Sequence, residues 1–370
     1  MITLILLLFL SFSTIQPKLR NLTTLQITKE MGIGINLGNT FDCWGDWIWE
    51  WGDHTPRSYE TAWGSPVIEK EMIEGIKKEG FDVMRLPVHW FNMMKDFIIN
   101  EEYMARVKQV VDWAIDAKLY VILNWHHDEH EFFSKYPFNI EETLENFQKV
   151  WAQIADAFQD YDDYLMFESL NEEACWNDIY NEWTGNETGK EMAFDLTYKL
   201  NQAFVDVIRS SGGNNPERHL LLAGYCTGLE YTCDPKFKLP KDPINRFALS
   251  IHYYNPATFC ILSEDADWGK ASPTWGTNEE IRELNKKMDI IQSTYIEKGI
   301  AVIIGEYGVA ASNKEIESVR NYIYTVGKAC YDRDILPVLW DTPGGYYNRT
   351  TFTMNDPVLK EMINTIKDLK

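Results

Sequence analysis

Positive charge is scarce in this chain. Lys and Arg number 35 against 56 Asp and Glu in 370 residues, a formal net charge of −21. A field of that sign repels phosphate backbones and anionic lipid, which argues against nucleic acid and membrane surfaces as partners. Cysteine is sparse as well. Cys43, Cys175, Cys226, Cys233, Cys260 and Cys330 show no Cys-x-x-Cys spacing, which argues against a zinc cluster. Their even number permits disulfides outside the cell without fixing any pairing. The apolar run at the amino terminus, Ile2 to Phe12, is too short to span a bilayer and has the length of a secretory leader's core. No charged side chain precedes Lys18. A cleaved leader over residues 1–17 and a secreted product are therefore expected, and Asn-x-Thr acceptors at Asn21, Asn186 and Asn348 fit that compartment. Repeats, Pro-rich linkers and low-complexity tracts are missing, so one domain over residues 18–370 is the expectation.

Aromatic residues are abundant. Trp, Tyr and Phe number 14, 19 and 18 and make up 14% of the chain, a supply that must fill a core or line a surface that binds flat ligands. Eight short apolar runs alternate with helix-like amphipathic stretches. They are Gly32 to Leu37, Val83 to Pro87, Tyr120 to Asn124, Leu165 to Leu170, His219 to Ala223, Phe247 to Ile251, Ala301 to Ile304 and Leu336 to Trp340. Eight strand-helix alternations predict an α/β fold closed into a (β/α)₈ TIM barrel. Such barrels place their chemistry at the downstream ends of the strands. Polar and aromatic residues gather there: Arg85 on the second run, Trp125-His126-His127 after the third, Asn171-Glu172 after the fourth, His252-Tyr253-Tyr254 after the sixth, Glu306-Tyr307 after the seventh and Trp340 on the eighth.

Glu172 and Glu306 end apolar runs four and seven, which a barrel sets facing each other across its mouth. A carboxylate leaving a buried strand needs a compensating partner. Two facing carboxyls suit glycoside hydrolysis, where one group protonates the leaving oxygen and the other attacks the sugar or activates water. Arg85 could hold a nucleophilic carboxylate ionised, and Tyr254 could donate a hydrogen bond to it. The segment His126 to Glu131 sets His126 and His130 four apart, yet it lacks the His-Glu-x-x-His order and follows a strand, so a catalytic metal is not expected.

The motifs Arg85-Leu86-Pro87-Val88, Trp125-His126, Leu170-Asn171-Glu172, His252-x-Tyr254, Gly305-Glu306-Tyr307-Gly308 and Trp340, taken in order, closely resemble glycoside hydrolase family 5, the retaining cellulase family of clan A. Gly34-Ile35-Asn36-Leu37-Gly38-Asn39-Thr40 and Glu60-Thr61-Ala62-Trp63-Gly64 resemble its endoglucanase-like subgroup, which also contains xyloglucanases and lichenases. The resemblance implies Glu172 as acid/base and Glu306 as nucleophile, supported by Arg85, His126, Asn171, His252 and Tyr254. Trp340 is the expected sugar platform, and Trp44, Trp47, Asn39 and His127 are the further substrate-binding candidates. The implied activity is that of a retaining endo-β-1,4-glucanase on cellulose-type or mixed-linkage β-glucan. A xyloglucanase or β-mannanase on the same site, or a non-catalytic carbohydrate-binding barrel, are the alternatives. A β-glucan partner, no cofactor, no metal and a monomer complete the expectations. Glu172 is expected to have the higher pKa of the pair, with Arg85 depressing that of Glu306. The Trp-rich stretch from Cys43 to Arg57 matches no motif and reads as a loop.

Overall fold

Eight strands, all buried along their whole length, close into a parallel barrel in sequential order. They are β1 (Gly34–Asn36), β2 (Val83–Leu86), β3 (Tyr120–Asn124), β4 (Leu165–Glu168), β5 (Leu220–Ala223), β6 (Phe247–Tyr253), β7 (Ala301–Tyr307) and β8 (Leu336–Leu339). The computed structural model describes residues 19–127, 132–180, 189–310 and 312–367. The expected leader, His130 and the Asn186 acceptor lie outside those residues. Gly34 of β1 pairs with Val83 on one side and Val338 on the other, which is the closure. Each predicted run falls on one of these strands, and β6 and β7 continue beyond their runs to Tyr253 and Tyr307.

The helices cover the barrel because each has one apolar stripe. Helix Glu101–Asp116 buries Tyr103, Val107, Val110, Val111 and Ala114, at helical spacing, and Asn100 caps its first turn by accepting from the N–H groups of Glu102 and Tyr103. Helices Lys70–Lys78, Ile140–Ala157, Lys190–Ser210, Asn278–Thr294, Ile316–Tyr331 and Pro357–Lys367 repeat the pattern. After β5 only the short helix Leu229–Thr232 follows. A helix not anticipated from the sequence, Thr24–Glu30, supplies Ile27, which packs together with Met31 onto Val83, Ile122, Leu221, Ile303 and Val338 and so seals the N-terminal end. That leaves the opposite, C-terminal end as the open mouth.

Two features shape that mouth. The β6–β7 register shifts between Ile251 and His252, which sets His252 beside Glu306. A local irregularity of this kind re-aims a side chain without disturbing the rest of the ladder. Cys175 and Cys226 form a disulfide, tying the loop after β4 to the one after β5. The other four cysteines are free, three of them buried. The stretch read as a loop, Cys43 to Arg57, instead contains the short helix Asp46–Trp51 and the start of another, Pro56–Thr61. Its Trp spacing concealed this, because only Ile48 of the first helix faces inward.

The disulfide closes a loop of 51 residues of sequence separation, for which chain entropy gives about 4 kcal/mol of stability. Cys226→Ser is therefore expected to lower the unfolding free energy by an amount of that order in denaturant titrations. Adding reductant to the wild-type protein should reproduce the loss. Equal stabilities with and without reductant would contradict the assignment.

Candidate active site

Arg85, on β2, is fully buried at the centre of the mouth. Its Nε donates to Glu168 at 2.6 Å, Nη1 to Asn36 and to Glu306 at 2.9 Å each, and Nη2 to Asn171 at 2.7 Å. Ser250 donates to the other oxygen of Glu168 at 2.7 Å. Glu306, next to last in β7, is buried; it accepts from Arg85 on one oxygen and from the Tyr254 hydroxyl on the other at 3.0 Å. Asn171 spends its carbonyl oxygen on Arg85, so its amide N–H groups remain to donate outward.

Glu172 lies beyond β4 with its side chain 53% exposed, against 8% for Glu306. Its Oε1 is 2.6 Å from His252 Nδ1, and the same nitrogen is 3.6 Å from Glu306 Oε2. One oxygen of each carboxyl and a ring nitrogen of His252 lie within 4.8 Å of one another. Retaining glycosidases hold their carboxyls ~5–5.5 Å apart, whereas inverting ones need ~6.5–9.5 Å to admit water. The spacing fits the first class.

Protonation departs from the expected order. Burial lowers the proton affinity of His252, but the charge on Glu306 and the hydrogen bond with Glu172 outweigh it, leaving its pKa above the ordinary value. Desolvation by its neighbours raises the Glu172 carboxyl, but the His252 hydrogen bond and charge pull it below the ordinary range. Burial pushes Glu306 up, against His252 and Arg85. These directions favour a proton on His252 over one on Glu172, across the 2.6 Å hydrogen bond between them. The higher pKa expected for Glu172 is not met, because His252 competes for the proton.

The facing wall is aromatic. His126 stacks on Trp340 with ring centroids 5.8 Å apart and planes 5° from parallel. Asn124 accepts from the Val88 N–H, so its amide donates to His126 Nδ1 at 3.1 Å and leaves Nε2 as the donor. Burial holds His126 well below its ordinary pKa, helped by the neighbouring His127 ring and the Arg85 charge. His127 touches His126 and Trp63, and Trp44 stacks on His89 beside it. Trp340 fits only because residue 38 is glycine: a Cβ there would stand 2.8 Å from its ring.

The structure therefore gathers Arg85, Asn171, Glu172, His252, Tyr254 and Glu306 into one site, with His126, His127, Trp340 and Trp44 along its wall. Asn39 enters through its backbone, whose N–H donates to Asp42 at 2.9 Å. Trp47 turns to a separate groove. Glu168, Asn36, Ser250, His89 and Trp63 belong to the assembly without having been anticipated. For Glu168 a signal existed, since it is a carboxylate inside an apolar run. Asp42, His126 and His127 each bring a ligand atom within 4.8 Å of the others, but Asp42 accepts from the Asn39 and Thr40 N–H groups and His126 Nδ1 faces Asn124. A cavity of about 790 Å³ opens beside the pair and shares Tyr254 and Trp340 with it.

A closed (β/α)₈ barrel with two facing carboxyls at this spacing, one of them clamped by Arg and Tyr donors, has the architecture of a retaining glycoside hydrolase. Residues 50–344 match the cellulase family, glycosyl hydrolase family 5, and the chain belongs to it. It is similar to endoglucanase A of Clostridium longisporum, 35% identical over 93% of this chain and 64% of that protein's length. A xyloglucan-specific endo-β-1,4-glucanase of Bacteroides ovatus is 32% identical over 90% of this chain and 68% of its own. Among solved structures, a broad-specificity endoglucanase of family 5 subfamily 4 from an uncultured bovine rumen ciliate superposes with a TM-score of 0.83. It is 36% identical, with 94% of this chain and 99% of that one covered.

If His252 stores the proton, the last proton of the three-group cluster leaves an imidazole, ordinarily near pKa ~6.5 and here raised. In His252→Gln it would leave a carboxyl, ordinarily ~4.3. The alkaline limb of kcat/KM is expected to move to lower pH by more than about 1 unit. An alkaline limb that stays in place would place the proton elsewhere.

Proposed function

We propose that the protein is a secreted, retaining endo-β-1,4-glucanase acting on cellulose-type or mixed-linkage β-glucan. The observation that carries this reading is the spacing of Glu172 and Glu306 within 4.8 Å, with Arg85 and Tyr254 both directed at Glu306. Glu306, held in place by those two donors, attacks the anomeric carbon in its ionised form. Glu172 takes the proton from His252 and delivers it to the leaving glycosidic oxygen. The sugar is then esterified to Glu306. In the second step Glu172 removes a proton from water, which attacks the same carbon and releases the sugar with its configuration retained. Asn171 donates to a sugar hydroxyl near the reacting carbon, Trp340 carries a pyranose face, and His126 donates from Nε2.

Several observations support the finer points. The relatives are endoglucanases by name. A neutral polymer needs no basic patch, which suits a chain of net charge −21. Secretion is supported by the amino-terminal apolar run and by the Cys175–Cys226 disulfide, which persists in oxidising compartments. Among the described residues no helix is long and apolar enough to cross a membrane. A second reading, cleavage of branched xyloglucan, is favoured by the Bacteroides ovatus relative and by the open cavity beside Trp340.

Hydrolysis of carboxymethylcellulose, mixed-linkage β-glucan, xyloglucan and mannan, with the anomer of the first product followed by NMR, tests the proposal. The β-anomer should form first. Glu306→Gln should abolish turnover, and Glu172→Gln should slow it by roughly 10²–10⁴-fold. An initial α-anomer, or a Glu306→Gln variant with near-normal turnover, would refute the mechanism.

A further inference from the structure

Four tryptophans lie within eight residues after β1, and they do not serve one surface. Trp44 stacks on His89 beside the active-site wall. Trp47 and Trp51, one helical turn apart on Asp46–Trp51, face outward with ring centroids 6.1 Å apart, 40% and 81% exposed. With Ile48 as an apolar residue between them, they line a groove of about 550 Å³ whose polar members include Asp53, Arg57 and Ser58. Trp49 turns to the other side and stacks on His54 at 4.2 Å. A chain has no folding reason to leave two neighbouring indoles in water, and exposed apolar clusters of this kind mark binding surfaces.

The groove is built rather than adventitious. Gly45, at φ 135°, lets the Trp47 ring lie against the backbone, since a Cβ there would stand 2.6 Å from the indole nitrogen. Asp53 accepts from Thr55 and Ser58 at 2.6 Å each, closing the turn between the two short helices. The second helix, Pro56–Thr61, is anchored through fully buried Glu60, which accepts from Arg106 Nε at 2.7 Å and Nη2 at 2.8 Å. The platform is thereby fixed to the barrel's outer helix Glu101–Asp116.

Its position and chemistry select an occupant. Thr61 and Ala62 line the groove, and the next residue, Trp63, touches His127 in the active-site wall with ring centroids 5.9 Å apart. The two surfaces thus share a wall. Asp53 and Arg57 cancel in charge, so the groove offers indole faces and hydrogen-bonding edges without favouring an ion. Pyranose rings present C–H faces to aromatic rings and hydroxyls at their edges. From this geometry we infer that the Trp47–Trp51 groove is a second β-glucan-binding site, outside the catalytic cleft, which holds the polymer beyond the segment being cleaved. The inference rests on the endoglucanase reading above. A short oligosaccharide confined to the cleft does not reach the groove, so the site acts only on long chains.

Trp51→Ala separates the possibilities, because its side chain is too exposed to matter for folding. Retardation in native gels cast with mixed-linkage β-glucan gives affinity for the polymer, and hydrolysis of a short cello-oligosaccharide gives the cleft's own activity. The expected result is retention weakened about tenfold, unchanged kcat/KM on the oligosaccharide, partial recovery in Trp51→Phe and none of these changes in Trp49→Ala. Undiminished retention in Trp51→Ala, with wild-type hydrolysis intact, would overturn this site alone. A wild-type protein that neither binds nor cleaves any β-glucan would instead overturn the endoglucanase reading. A change of oligomeric state in Trp51→Ala, seen by size-exclusion chromatography, would assign the groove to a second copy of the chain and also refute the inference.

Discussion

The buried guanidinium of Arg85 is the interaction on which the site depends. Removing a cation from water costs several kcal/mol, and only a complete set of partners offsets it. That set is Glu168, Asn36, Asn171 and Glu306, which come from β4, β1, the turn after β4 and β7. No local segment contains them together. The ion pair can form only when the barrel has closed, and once formed it fixes where the Glu306 carboxylate stands. Lysine could not replace the planar fork, because a single ammonium cannot address four residues in these directions. Folding and pre-organisation of the candidate nucleophile are therefore one event.

Around this centre the histidines divide by burial and by neighbour. His89 is driven down to about pKa 3 by burial and the His127 charge, and His126 is also held well below its ordinary value. Both are neutral near neutral pH, so the wall can stack and donate there. His252 is equally enclosed but faces two carboxylates, and its pKa moves the other way. Opposed shifts on residues of one type at one site mark His252 as the candidate for proton transfer and the others as parts of the wall.

The sequence was most informative where a physical rule links pattern to place. All eight strands were legible because parallel barrel strands are buried on both faces and read as continuous apolar runs. Strand ends then named the site candidates, since a polar group leaving such a run is tolerated only where it meets a partner or opens onto the mouth. What stayed hidden acts through other residues or through short-range geometry. Glu168 was visible as a charge, but its partner Arg85 lies 83 positions away. Asn36 and Ser250 are small polar residues whose importance comes only from register. The competition of His252 with Glu172 for a proton was missed because it depends on a distance that no spacing in the chain encodes. The helix Asp46–Trp51 was missed because a six-residue helix buries too little to leave a stripe.

The aromatic supply shows how one residue type is divided by its surroundings. Trp90 and Trp176 are buried, and each donates its indole N–H to a backbone carbonyl, of Asn124 and Phe133 respectively, which removes the cost of hiding a polar group. Trp340 lies partly open at the mouth, and Trp51 stands almost free in water. A protein that exposes Trp44, Trp47, Trp49 and Trp51 within one stretch invites self-association through them. The net charge of −21 opposes that, because two like-charged copies repel before their apolar faces meet. A neutral polysaccharide carries no charge for the field to act on, so the repulsion that keeps the chains apart does not extend to it. Acidic surplus and exposed indoles are thus compatible in a protein whose aromatic surfaces meet an uncharged ligand, and this links the chain's two compositional extremes.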